Sequence, residues 1–305
     1  MLENFFMIGN QVLILFVLIG VGFLCSHVKI LNDNAVKGIT DFILYIVTPC
    51  VIVNSYIREF QPEMLKGLLI TIAASFASFA INILFSCLLI HDKDKQRETV
   101  LRFGAIFSNC GYMSLPLQQA VLGEEGVFYG ATYIAIFNVV LWTYGVCLMD
   151  GGFKNISVGK IIKNPSIISV FAGIVIFIFS AKLPSVITEP IGYFAAVNTP
   201  LPMVVIGYHL ANASLRLTDK ASVISIIFRL IISPALMIGC MYLIGMRGTI
   251  PTACAIAVAS PSAAVTTMFA QKFNKDVPLS AALVSVSTLF SVITMPIMVA
   301  IAMSL

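Results

Sequence analysis

Apolar runs follow one another along almost the whole chain, each about 17 to 25 residues long, with only short polar connections between them. A helix rises about 1.5 Å per residue, so each run is long enough to cross a hydrocarbon core about 30 Å thick. Ten such runs can be marked, at 5–26, 36–57, 66–90, 100–122, 126–149, 166–182, 190–212, 221–245, 249–271 and 277–303. With 59% hydrophobic residues, 10% charged residues and a mean hydropathy of +1.00, too little polar surface exists to cover a water-soluble globule of 305 residues. The expected fold is therefore an all-α polytopic membrane protein of ten transmembrane helices. The first run, Phe5 to Cys25, has Glu3 and no Lys or Arg before it, and no small-x-small site follows. It is expected to stay as a spanning helix rather than be cleaved as a signal peptide.

Cations divide unevenly between the two sets of connections. Those after odd-numbered spans carry Lys29, Lys37, Lys93, Lys95, Arg97, Arg102, Lys154, Lys160, Lys163, Arg216, Lys220, Lys272 and Lys275, thirteen in all. Those after even-numbered spans carry four: Arg58, Lys66, Lys182 and Arg247. By the positive-inside rule the odd connections face the cytoplasm, so both termini face away from it, in a plasma (inner) membrane. The net charge of +4 is on this reading a topology signal, not a nucleic-acid patch. The charged run His91 to Glu98 reads as a solvated cytoplasmic connection. Seven cysteines form no CxxC pair and mostly lie within apolar runs, where they act as small hydrophobes.

An offset of about 150 residues recurs in three places. Thr48-Pro49 of span two returns as Thr199-Pro200 of span seven; the interrupted span four returns as span nine; the polar stop Gly123-Glu124-Glu125-Gly126 returns as Phe273-Asn274-Lys275-Asp276. Five spans per copy is an odd number, so the second copy must enter from the opposite side. Residues 1–150 and 151–305 are expected to be two inverted five-helix repeats.

The interruptions are Ser108-Asn109-Cys110-Gly111-Tyr112-Met113-Ser114-Leu115-Pro116 and Ala259-Ser260-Pro261-Ser262-Ala263-Ala264-Val265-Thr266-Thr267. Proline inside a helix removes a backbone hydrogen bond and clashes with a carbonyl one turn back, at about 3 kcal/mol or more. Freed backbone groups in hydrocarbon cost several kcal/mol each, so such spans unwind only beside protein, water or ligand. Paired interruptions in two halves point to the binding site of a secondary transporter. Gly111 and Ser262 are expected to let spans four and nine approach closely. The half-helix N-termini would then point free N–H groups at one volume suited to a carboxylate. The expected substrate-binding residues are Asn109, Gly111, Ser108, Ser114, Pro116, Ser260, Pro261, Ser262 and Thr266. Asn109 is the leading ligand, and its carbonyl can also accept a cation such as Na+.

Asn54, Asn82 and Asn138 read as interhelical hydrogen-bonding residues. Tyr208 and His209 either flank a cavity or pack; Arg229, near a cytoplasmic end, is expected to snorkel. Asp41 is read as an i,i+4 ion pair with Lys37. No Asp or Glu lies near the centre of a span, which disfavours a buried carboxylate proton relay, although Asp41 or His209 could titrate. HExxH, GxGD and GxSxG are all missing, so an enzyme is not expected. Neither a cofactor nor a resident metal is expected, and the coupling ion, H+ or Na+, stays open.

At Asn109-Cys-Gly-Tyr-Met-Ser-Leu-Pro116 the sequence resembles the auxin efflux carrier family of membrane transporters, whose bacterial members include proteins assigned to malonate and malate transport. The likeness extends to the ten spans, Thr-Pro in span two and the proline of span nine. It implies a scaffold of spans one, two, six and seven, and a transport unit of spans three to five and eight to ten moving as an elevator. It also implies organic anion substrates bound at a crossover of spans four and nine, with Asn109, Pro116 and Pro261 matching the broken helices, and a homodimer. The long loop between halves in plant members is missing here. The function expected is secondary transport of mono- or dicarboxylates. A sodium-coupled bile-acid-type symporter is the nearest alternative, and an anion channel the alternative from another class.

Overall fold

A computed structural model describes residues 2–152, 158–212 and 219–304, so the connections carrying Lys154 and Arg216 lie outside the described residues. The described chain is all-helical. In order come α1 (Leu2–His27), α2 (Asp33–Phe42), α3 (Thr48–Tyr56), α4 (Pro62–Leu89), α5 (Lys95–Ile106), α6 (Leu115–Val140), α7 (Val146–Asp150), α8 (Val158–Ile162) and α9 (Pro165–Ile178). There follow α10 (Ser185–Ala196), α11 (Pro200–Ala211), α12 (Lys220–Ile227), α13 (Ser233–Leu243), α14 (Thr249–Ala259), α15 (Val265–Lys272) and α16 (Val277–Ser304). Among the described residues, seven helical stretches are long and apolar enough to cross a membrane: Phe6–His27, Asp33–Tyr56, Pro62–Leu89, Cys110–Asp150, Ser185–Ala211, Lys220–Leu243 and Val277–Ser304.

Where the ten expected spans and the seven long helices differ, the reason is local. α9, at 14 residues, is about 21 Å long, short of the roughly 30 Å core. The ninth run is cut at Ser260 into α14 and α15. Spans four and five share the 41-residue stretch Cys110–Asp150, interrupted at Gly123, whose backbone (φ 67°, ψ −156°) leaves the helical region as glycine readily does. The chain turns back there. A Cβ at Gly130 would lie 1.9 Å from the Gln118 side-chain oxygen, whereas twelve residues of straight helix would separate the two by about 18 Å.

π-helical turns occupy Ile43–Val47, Cys110–Ser114, Leu141–Gly145 and Phe228–Ile232. Three of them run directly into Thr48-Pro49, Leu115-Pro116 and Ser233-Pro234. Proline has no N–H and crowds the carbonyl one turn back; a wider turn makes room for the ring without ending the helix. Pro49 and Pro116 stand out in the sequence, whereas Pro234 and the π-helical turns do not.

Polarity runs inside-out. Outward faces carry exposed Val17, Phe171, Phe179, Val186, Leu243 and Ile293, while α4 buries Thr71, Ser75, Ser78, Asn82 and Ser86 along one stripe. Thr71 and Ser75 donate to the carbonyls of Gly67 and Thr71 on their own helix, which lets hydroxyls sit in a dry interior. This is the pattern for a protein whose solvent is lipid, and it is a multi-pass membrane protein. α1 lies against α11 with backbones touching: a Cβ at Gly207 would meet the Ile19 carbonyl oxygen at 2.0 Å, and one at Gly22 the Val204 carbonyl oxygen at 2.1 Å.

At one end of the bundle Arg97 gathers three connections, 2.8 Å from Asp219, 3.3 Å from Asp276 and 3.5 Å from Asp92. Nearby, Glu98 pairs with Lys95 at 2.8 Å and with Arg102. Burial alone would raise the Glu98 carboxyl, but Lys95 and Arg102 hold it below its ordinary range. Asp219 likewise loses water yet is held low by Ser222 and Arg97. Asp41 is exposed and, among the described residues, forms no ion pair with Lys37, correcting that expectation.

Two outcomes are expected. Gly207→Leu drives a side chain into the α1 backbone, so the protein loses its monodisperse gel-filtration peak, while Gly9→Ala, with open space around it, behaves as wild type. Carboxyls depressed in the folded state stabilise it fully above the ordinary carboxylate range and lose that contribution as pH falls through their lowered values. The melting temperature is therefore expected to fall between about pH 5 and pH 3, and less steeply in Arg97→Ala.

Candidate functional site

The two interrupted stretches meet. α5 ends at Phe107, where the backbone becomes extended (φ −94°, ψ 106°); α14 ends at Ser260, extended at φ −63° and ψ 147°. Ser108 and Ser262 then pair antiparallel, as two strands would. The Asn109 N–H donates to the Pro261 carbonyl at 2.7 Å and the Ala263 N–H to the Phe107 carbonyl at 2.9 Å. Each break thus supplies the partners that the other needs, avoiding a cost of several kcal/mol per unpaired group. Ser262 adds two bonds: its hydroxyl donates to the Gly104 carbonyl at 2.8 Å, and its N–H to the Ser287 hydroxyl at 3.1 Å.

Beyond the pairing both chains become helical again, and their new N-terminal turns border a cavity of about 400 Å³. Ser108, Asn109, Gly111 and Tyr112 line it from one side, Ala263, Ala264, Val265 and Thr267 from the other, with Asn138 and His209 further along. Among the described residues, no Asp, Glu, Lys or Arg lines it. The Asn109 backbone is committed to Pro261 and Met113, while its side-chain amide has no hydrogen-bond partner among the described residues. Two helix N-termini and a free amide make a surface that can hold a small anion.

The remaining expected site residues fall elsewhere. Ser114 and Thr266 are fully buried behind the cavity wall, their hydroxyls without partners among the described residues. Ser260 donates to the Ile256 carbonyl at 3.1 Å, and Pro261 and Ser262 are occupied in the crossing itself. Pro116 lines a second cavity of about 340 Å³ with Asn54, Gln119, Glu124, Asn198 and Thr199. Gly111 does not mediate the close approach expected of it, since a Cβ there would meet nothing within 4 Å. Asn82 and Asn138 make interhelical bonds as anticipated, Asn82 accepting from Ser233 at 2.7 Å and Asn138 from Asn164 at 3.0 Å. Tyr208 donates to Asp33 at 2.7 Å.

Lining residues order the two cavities end to end. On α2–α3, Thr40, Leu44 and Thr48 line the larger, Val51, Asn54 and Ser55 the smaller; on α10–α11, Val205, Ile206, His209, Leu210 and Asn212 line the larger, Gly192, Ala195, Ala196, Asn198 and Thr199 the smaller. Thr48-Pro49 and Thr199-Pro200 therefore lie at the level that divides them.

Arg229 corrects the sequence reading most. It does not snorkel: only 1% of its surface is exposed, and it is the largest of the fully buried side chains. Its guanidinium donates to the Ala105 carbonyl at 2.9 Å and the Ile106 carbonyl at 3.0 Å, at the end of α5, and to the Val258 carbonyl at the end of α14. A fourth bond reaches the Ser233 hydroxyl at 3.1 Å, which in turn donates to Asn82 on α4. Gln118, also missed, is buried and donates to the Ala253 carbonyl at 2.8 Å. A polar or charged residue inside an apolar run is the one signal that marked either. Among the described residues no cluster of three or more His, Cys, Asp or Glu gathers as a metal site.

Interrupted helices crossing beside a largely apolar cavity with a few polar groups are the arrangement of secondary transporters, a class of polytopic membrane protein. The membrane transport protein family matches residues 7–158 and 152–299. The chain belongs to that family, the auxin efflux carriers. An uncharacterized transporter of Methanocaldococcus jannaschii is 25% identical over 299 residues, covering 93% of this chain and 95% of the relative. Another, of Methanothermobacter thermautotrophicus, is 21% identical, covering 94% and 96%. A Rhizobium meliloti protein described as a candidate malonate transporter is 25% identical over 300 residues, covering 94% of this chain and 93% of its own length.

Gly111→Ala is expected to fold normally, with a melting temperature at or slightly above wild type, because a methyl there meets no neighbour and alanine favours the helical turn by about 0.5–1 kcal/mol. Thermal unfolding followed by intrinsic fluorescence checks it.

Proposed function

We propose that the chain is a ten-span secondary transporter of small organic anions, mono- or dicarboxylates, and not an enzyme. The cavity at the crossing carries this reading: two helix N-termini and the free Asn109 amide face it, and among the described residues no acidic side chain does. The relative described as a candidate malonate transporter agrees with that chemistry.

Two inverted repeats account for the common offset of the breaks and of the Thr-Pro elements. Packing of α1 on α11, and of α3 on α9 and α10, supports a scaffold of spans one, two, six and seven. Spans three to five and eight to ten would form the unit that moves, with Arg97 tying its connections at one end. By the uneven cation distribution the larger cavity would open toward the cytoplasm, with both termini on the far side of the plasma membrane. Two cavities on either side of one dividing level suit alternating access better than an open pore. A homodimer follows from the family resemblance.

Asn109→Ala is expected to weaken malonate binding by about tenfold or more while leaving the melting temperature unchanged. Isothermal titration of the purified protein checks it, and unchanged affinity would remove Asn109 from the site.

A further inference from the structure

Every half-helix at the crossing has two ends, and the cavity uses only the N-terminal ones. The C-terminal ends of α5 and α14 converge instead on Arg229. Each helix C-terminus carries roughly half an elementary negative charge, so two together present about one. One guanidinium cancels it. Carbonyls at the ends of interrupted helices are the groups that coordinate sodium ions in transporters of this general design. Here those of Ala105, Ile106 and Val258 all receive N–H donors from a single side chain.

Resting on the transport reading above, we infer that Arg229 is a tethered cation occupying the place of a coupling sodium ion, so that anion binding at the crossing needs no sodium. The burial is too complete for any other role in contact with solute: Arg229 lines neither cavity. Removing an ion's hydration costs several kcal/mol even after relaxation, and such a charge persists only where bonds compensate it. Its four bonds offset most of that cost, with only the Nε–H left without a partner among the described residues, and they also connect α13, α5, α14 and α4 through Ser233 and Asn82. Because it cannot leave, Arg229 keeps the two C-terminal ends neutralised throughout the transport cycle, so the positive N-terminal turns act on an anion without opposition from behind. Arg229 is thus a positioning residue, acting on solute through the two half-helices.

Sodium alone tests the inference without any substrate. The melting temperature of the purified wild-type protein is expected to be the same in sodium, potassium and N-methylglucamine chloride at one ionic strength. Arg229→Ala and Arg229→Gln, with carbonyls uncovered, are expected to melt lower and to gain a saturable shift in sodium that N-methylglucamine does not give. Arg229→Lys, which keeps the charge, is expected to stay insensitive. A sodium-specific shift of the wild type would overturn the inference whether or not the neutral variants fold.

Malonate titrations form the second arm. Wild-type affinity is expected to agree within about twofold with and without sodium, and the neutral variants to bind about tenfold or more weakly, with Arg229→Lys closer to wild type. Neutral variants that bind malonate as wild type does would also overturn it. If no mono- or dicarboxylate binds the wild type, the transport reading fails, while the sodium arm still decides the role of Arg229.

Discussion

Backbone hydrogen bonding without water governs this architecture. A helix interrupted inside hydrocarbon leaves N–H and C=O groups that lipid cannot satisfy, and here two interruptions solve the problem for each other. Phe107 to Asn109 and Pro261 to Ala263 exchange bonds as a two-residue ladder, Ser262 bonds two neighbouring elements, and Arg229 takes up the carbonyls left at the C-terminal ends of α5 and α14. Neither interruption is stable alone. The cavity exists because the pair holds both chains open at one place, with helix N-termini turned toward it.

The surroundings follow from the same constraint. Prolines would end helices in water, but Thr48-Pro49, Leu115-Pro116 and Ser233-Pro234 sit just after π-helical turns that absorb the ring. Hydroxyls that would face solvent in a soluble protein turn inward on α4 and return their hydrogen bonds to their own helix. Glycines at 22 and 207 let α1 and α11 touch where two apolar surfaces gain little from hiding from lipid.

Several residues show how far composition and spacing reach. Asn109 could be named because a polar amide beside glycine in an apolar run has few structural excuses, and it does line the cavity. Ser260 and Ser262 come from the same logic, yet their hydroxyls are spent on the Ile256 and Gly104 carbonyls. Pro116 lies only seven residues past Asn109 but faces the other cavity, because seven helical residues carry the chain about 10 Å along its axis, past the level that divides the two. Arg229 looked like a snorkelling cation because its distance along the helix to the polar boundary is short; nothing in the linear order reveals two carbonyl clusters waiting beside it.

Spacing and polarity along the chain were enough to settle that it lives in a membrane, that it is helical, and that runs four and nine break, since each of these is a property of neighbours in sequence. Which groups close the breaks, which serines remain available and where the buried charge goes depend on contacts more than a hundred residues apart, such as Arg229 with Ala105. Those are decided only when the helices pack, because an unpaired polar group in a dry interior takes whichever partner the fold brings within about 3 Å.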